Sequence, residues 1–316
     1  MNISKKSKAK PILVTGSHRS GTTWIGKMIS ASPSVAYIHE PFNPCISKIF
    51  PGICGIDFNY WYEYVTYENE AKYYPEIKKT LNFRYDLNKQ IASYHKLRDY
   101  KRTIKEYLSF YRYRLSNSVP LIKDPFTLFS AEWLAEKFDM NVVITIRHPA
   151  SFISSLQKLN WSYDFSHFLK QPLLMKDHLQ SFEAEIIEYS HKKVDLIDQA
   201  SLIWRIIYQT VSNYIAKYPN WIYLRYEDVA RQPITSFEKL FQKLNLDFSN
   251  SVQTTVQNYC QPSNPSITPD SDYYLIKVDS KAHISSWKNR LTDLEIKRIR
   301  NQVETVSSNF YADNDW

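Results

Sequence analysis

Cysteine is scarce. Cys45, Cys54 and Cys260 are the only three in 316 residues, too few to suggest a disulfide framework. No Cys/His pairing has metal-ligand spacing, so the expectation is a reduced, cytoplasmic, metal-free protein. No apolar run approaches the length of a bilayer span, so no membrane-spanning segment is expected. The opening stretch MNISKKSKAK is basic and has no apolar centre, so it does not read as a secretory signal. Residues 1–10 are expected to be a flexible basic tail. Internal repeats and low-complexity linkers are also missing. With 43% hydrophobic residues, the remaining 11–316 can bury one large core as a single domain. The net charge of +8 suits an anionic ligand or substrate without naming it, and no nucleic-acid partner is expected.

The stretch Pro11 to Glu40, PILVTGSHRSGTTWIGKMISASPSVAYIHE, organises the chain. Ile12-Leu13-Val14 reads as a buried strand. A loop follows from Gly16 to Thr23. Trp24, Ile25, Met28 and Ile29 then recur at helical spacing. Strand, glycine-bounded loop and helix form a phosphate cradle, because backbone N–H groups and the helix dipole converge on an anion. The Gly16-x4-Gly21 spacing is that of a nucleotide-binding P-loop. Such a loop requires Lys at the next position, and the residue there is Thr22. The cation sits earlier, at Arg19. A kinase or nucleoside-triphosphate hydrolase needs the missing lysine on its β/γ-phosphates.

Arg19-Ser20-Gly21-Thr22-Thr23-Trp24 resembles the 5′-phosphosulfate loop of sulfotransferases that use 3′-phosphoadenosine 5′-phosphosulfate (PAPS). The resemblance implies that Arg19, Ser20, Gly21, Thr22 and Thr23 hold the 5′-phosphate and that Trp24 stacks on adenine. Its landmarks run in family order from residue 11 to about 290.

Ser34 to Ile38 reads as a second strand, and His39-Glu40-Pro41 ends it. In a parallel sheet the carboxyl ends of the strands face the ligand, so Glu40 is either a base beside the loop or a surface carboxylate. The segment is similar to tyrosylprotein sulfotransferases, whose catalytic glutamate falls without a gap on Glu40. Residues 56–115 read as a helical insert. They hold half of the 24 tyrosines, and between Thr66 and Leu115 there are 12 Lys/Arg against 6 Asp/Glu. Ile91, Tyr94, Leu97, Ile104, Tyr107, Leu108 and Tyr111 fit long amphipathic helices. These form either a solvated hairpin or a lid that offers aromatic and basic groups to an acceptor. Val119 to Ile122 is a third strand that delivers Lys123. The run KDPFTL also resembles the lysine-bearing segment of the tyrosylprotein enzymes. The small-molecule sulfotransferases carry a catalytic histidine two residues after that lysine, where this chain has Pro125.

Asn141 to Arg147, rich in β-branched residues, is the clearest strand. Arg147 and Ser155 match in spacing the Arg/Ser pair that holds the 3′-phosphate of PAPS in the family. A guanidinium fork and a neutral hydroxyl are suitable donors for that group. His148, His167 and His178 have no carboxylate partner that the sequence can place. Ile203, Ile206, Ile207, Thr210, Val211, Tyr214 and Ile215 make one face of a long helix. Trp221 to Arg225 is a fifth strand, and Tyr226 follows in a segment like the family's adenine-contacting tyrosine. Ser280-Lys281-Ala282, ahead of Trp287, resembles the closing 3′-phosphate segment, with only the lysine matching its Arg-Lys-Gly triplet.

The expected fold is α/β, a P-loop-like parallel sheet of about five strands flanked by helices on both faces. The expected reaction is sulfonate transfer from PAPS to an acceptor hydroxyl. Glu40 serves as base, with Arg19 and Lys123 stabilising charge on the sulfonate and leaving phosphate. The acceptor is expected to be a glycan, then a tyrosine-bearing peptide or a small alcohol. A P-loop nucleotide kinase and a non-catalytic nucleotide- or glycan-binding module remain alternatives.

Overall fold

The computed structural model describes residues 9–94, 98–265 and 277–316. Most of the expected basic tail, residues 1–8, lies outside the described residues, as does Leu97. Five strands form one parallel sheet: β1 (Ile12–Gly16), β2 (Val35–His39), β3 (Val119–Lys123), β4 (Asn141–Ile146) and β5 (Ile222–Arg225). Their spatial order is β2-β3-β1-β4-β5. Leu13 lies opposite Ile122 and Val142, and Val14 opposite Lys123 and Val143.

Period-two alternation divides the strand residues between two apolar layers. Leu13, Ile38, Ile122, Val142 and Ile144 face one core, built with the helices Ala131–Phe138, Pro149–Leu159, Leu196–Lys217 and Asp293–Ser307. Ile12, Val14, Val35, Leu121 and Val143 face the other, built with α1 (Thr22–Ile29) and the helices Pro233–Lys243 and Asn250–Cys260. A sheet covered on both faces needs near-continuous apolar strands, which explains why ILV and VVITI were legible. In the helix Leu196–Lys217 the expected face is buried except at Ile215, which is 39% exposed.

β1 connects to β2 on one side of itself, and β3 connects to β4 on the other. The strand order therefore switches sides at β1 and β3, and open α/β sheets bind ligands at the carboxyl ends of strands at such a switch.

The segment 56–115 is less regular than its periodicity suggests. It contains the short helices Tyr74–Leu81 and Leu87–Ala92 and one long helix, Arg98–Leu115. The long helix packs inward through Thr103 and Phe110. Ile104, Tyr107, Leu108 and Tyr111 are exposed. Phe110 meets the edges of Phe83 and Tyr85, and these contacts fix which side of the helix faces the protein.

Candidate active site

The loop after β1 is shaped by two glycines. Gly16 has φ of 142°, and a Cβ there would lie 2.5 Å from the Thr145 carbonyl oxygen. Gly21 has φ of 93°, and its Cβ would lie 2.6 Å from the Tyr226 ring. α1 starts immediately after Gly21 with no side-chain cap. Its first amides have no intrahelical acceptor, and with the helix dipole they favour an anion. Thr22 and Thr23 line the cavity in front of them. Ser20 is turned away: its hydroxyl donates to the Ser17 carbonyl and meets Thr145 Oγ1, both at 2.5 Å. That side chain braces the loop against β4.

β2 and β3 deliver the second part. The Glu40 amide donates to the Lys123 carbonyl at 2.9 Å, extending the strand pairing to the last residue before the turn. Glu40 then adopts φ of 44°, and Arg19 across the cavity adopts 62°. Both are non-glycine residues in the left-handed region, where strain often marks function. Lys123 Nζ donates to Glu40 Oε1 in a direct ion pair. Asn43 Nδ2 donates to Glu40 Oε2 at 2.6 Å. The lysine side chain is fully buried and the carboxylate is 15% exposed, so the carboxylate is the member of the pair open to the cavity.

Burial is the largest single influence on the Glu40 carboxyl and raises it, but the charge and hydrogen bond of Lys123, with His39 and the Asn43 hydrogen bond, together hold the group below its ordinary range. Burial lowers Lys123, with Glu40 opposing. Next in sequence, Asp124 accepts the amides of Phe42 (2.6 Å) and Phe126 (2.9 Å) and so clamps the two turns together. Burial and the Glu40 charge push its carboxyl upward.

β4 delivers the third part. Arg147 Nε donates to Ser151 Oγ at 2.8 Å, and its guanidinium lies 3.6 Å from the Tyr226 ring centre. Its Nη2 approaches His283 Nδ1 at 3.2 Å. Arg19 Nε donates to Ser155 Oγ at 3.0 Å. With Lys158 and Arg290 these side chains line a small recess. Burial and four surrounding cations, Arg147 foremost, depress His283 to about 3. Burial and Arg147 lower Arg290 as well. Glu227 Oε1 lies 3.6 Å from Arg147 Nε, and the gathered cations favour an entering anion.

One cavity of about 630 Å³ joins these parts. Of the residues singled out from the sequence, Arg19, Gly21, Thr22, Thr23, Trp24, Glu40, Arg147 and Tyr226 line it, and Lys123 and Ser155 do not. Trp24 is nearly buried, edge-on to Tyr226 and Phe237. The guanidinium of Arg19 is turned to Ser155 in the recess. Ser280 donates its hydroxyl to the Ala230 carbonyl at 3.0 Å, and Lys281 is exposed. Neither lines the cavity or the recess.

Arg290, Lys158, Ser151 and His283 were missed. Ser151, Ser155 and Lys158 recur at i, i+4 and i+7 on the helix Pro149–Leu159, a periodicity that could have revealed them. Nothing local marks Arg290. The three doubtful histidines line neither space. His148 stacks on Trp287 and is lowered to about 3, chiefly by burial. His167 accepts the Trp61 amide at 2.9 Å, and His178 sits edge-on to Tyr64. His18 does line the cavity. It bonds Tyr62 through Nδ1 at 2.8 Å, and burial, then Arg19, depresses it to about 3, so it is a poor proton acceptor.

The sulfotransferase family model matches residues 11–250. This chain belongs to the sulfotransferase family. Among solved structures, this sulfotransferase is similar to the sulfotransferase domain from the curacin biosynthetic pathway at 15% identity, covering 94% of this chain and 98% of that one, with a TM-score of 0.46. Sulfotransferase STF9 from Mycobacterium avium shares 14% identity over 96% of this chain and 77% of its own, with a TM-score of 0.46. A mouse sulfotransferase complexed with PAP, SULT7A1, shares 10% identity over 98% and 88%, with a TM-score of 0.42. No curated protein matches the sequence.

Proposed function

We propose that this sulfotransferase moves a sulfonate group from PAPS to the hydroxyl of an acceptor, with Glu40 as the base. The observation that carries the reading is the shared cavity. The phosphate loop, a carboxylate paired with a buried lysine, and an adjoining cation recess all open on it.

Fit to PAPS is supported by the two separate anion sites. The α1 amino terminus with Thr22 and Thr23 would hold the 5′-phosphosulfate. Arg147, Ser155 and Arg290 would hold the 3′-phosphate. Trp24 and Tyr226, which line the same cavity, would contact the adenine. PAPS supplies an activated sulfur. Glu40 accepts the acceptor's proton as the acceptor oxygen bonds to sulfur and the sulfur–phosphate oxygen bond breaks. Lys123, on the same carboxylate, stabilises charge accumulating on the leaving phosphate, and Arg19 adds to this from the loop.

Acceptor choice rests on the other half of the cavity. Trp61, Phe126, Trp161 and Tyr163 offer ring faces, and Asn160 and Ser162 offer hydrogen bonds. Rings alternating with amide and hydroxyl groups suit a glycan, whose sugar faces are apolar and whose rims are polar.

Adenosine 3′,5′-bisphosphate is expected to bind at least about tenfold (~1.4 kcal/mol) more tightly than 5′-AMP. Arg147→Ala should remove most of that difference, and Arg290→Ala a smaller part. Calorimetry with both nucleotides reads this directly, and equal affinities for the wild type would sink the 3′-phosphate assignment. Turnover is expected to persist in EDTA, because protein cations serve the leaving phosphate. Activity that vanishes on chelation and returns with Mg²⁺, alongside ATP turnover, would favour the P-loop kinase.

A further inference from the structure

The helix Arg98–Leu115 carries a surface that the cavity does not use, since none of its residues lines the cavity. Tyr100, Ile104, Tyr107, Leu108, Tyr111 and Leu115 are all exposed, with Ile104 at 58% and Leu115 at 64%. At 100° per residue they fall in one stripe about 100° wide. Such a stripe is the face a helix ordinarily buries, and here it points to solvent. The protein-facing side is defined independently by Thr103 and Phe110, both buried.

Cations flank the stripe. Lys101, Lys105 and Arg112 border one edge and Arg114 the other, all exposed. Glu106 is the one acid between residues 100 and 115. It lies on the inward side, accepting from Tyr85 at 3.2 Å and Arg102 at 3.2 Å. Among the described residues of the helix, the outward face therefore combines aliphatic and tyrosine side chains with positive charge and no negative charge.

The geometry points to an anionic membrane surface as the partner of this face. An apolar stripe flanked by lysine and arginine is the pattern of a helix lying in the bilayer interface. The apolar side chains enter the acyl boundary and the cations meet acidic headgroups. A second copy would set identical basic edges against each other. An anionic polysaccharide would leave Ile104, Leu108 and Leu115 in water.

The opposite side of the helix packs toward a cavity-lining segment. Arg102 lies 3.8 Å over Phe50, and Gln90 Nε2 donates to the Ile49 carbonyl at 3.0 Å. Ile49 ends the helix Pro44–Ile49, whose Cys45 and Ile46 line the cavity and whose cap Asn43 holds Glu40.

Flotation of the full chain with phosphatidylcholine vesicles, with and without phosphatidylserine, tests this. The wild type is expected to float with the mixed vesicles, stay behind with phosphatidylcholine alone, and be released at high salt. Replacing Lys101, Lys105 or Arg112 by Gln should weaken partitioning about fivefold each. The double variant Ile104→Ser/Leu108→Ser should weaken it by at least about tenfold. All five positions are exposed, and melting temperature and bisphosphate affinity should match the wild type. Absence of binding to the mixed vesicles, equal binding to both compositions, or unchanged binding of the Ser double variant would overturn the proposal. So would a dimer, seen by sedimentation, that the same double variant dissolves.

Discussion

Glu40→Gln should lower turnover by about 10²- to 10⁴-fold, the usual contribution of a general base. Affinity for adenosine 3′,5′-bisphosphate should stay within about threefold (~0.7 kcal/mol). Gln keeps the shape and the acceptor oxygen facing Lys123 but cannot take a proton at working pH. The pH profile separates this from a positional effect. A base works when deprotonated, so kcat/KM should rise with pH through the Glu40 pKa of the free enzyme and then level off. Because Lys123, His39 and Asn43 together hold that carboxyl below its ordinary range against burial, the rising limb should lie on the acid side of the ordinary glutamate value. Glu40→Gln should abolish the limb. The same shift has a stability counterpart. A carboxyl lowered in the folded state stabilises the fold above its unfolded pKa, and that contribution is lost as pH falls through the folded value. Near-normal turnover of Glu40→Gln on a verified acceptor would remove the base assignment.

Lys123→Met should lower turnover by about 10²- to 10³-fold through lost charge stabilisation at the leaving phosphate. Its effect on pH dependence should differ in kind. Burial pushes the Glu40 carboxyl upward, and in the wild type Lys123, with smaller help from His39 and Asn43, more than offsets it. Without the lysine the limb should move to higher pH rather than vanish. Removing one member of a buried pair is also costly, about 3 kcal/mol, so rates belong well below the variant's unfolding transition. A rising limb that stays in place in Lys123→Met would show that the pair does not set the proton affinity of Glu40.

The sheet was legible because a strand buried on both faces must be largely apolar, and the central strands β1 and β4 announce themselves that way. The cradle was legible because its spacing encodes a turn that only glycine allows at Gly16 and Gly21. Glu40 and Lys123 were legible as strand-end residues, since parallel strands place their carboxyl ends together. Orientation was less accessible. Ser20 sits in the loop, yet its hydroxyl is spent on Thr145, and Arg19 turns to Ser155. Neither fact follows from position in a motif. The recess gathers Arg147, Lys158 and Arg290 from separate elements, which only the packed fold brings together. The long helix misled for a related reason. Periodicity shows that it has an apolar face, but Phe83 and Tyr85 decide which side meets the protein, and it is a different one.

The central claim is sulfonate transfer, and the direct measurement is PAPS labelled in its sulfonate sulfur, incubated with pools of glycans, peptides and small alcohols. The account predicts label in a glycan pool, adenosine 3′,5′-bisphosphate released in equal amount, and loss of both with Glu40→Gln. Tight bisphosphate binding with no label transferred to any pool would contradict it and leave a nucleotide-binding module.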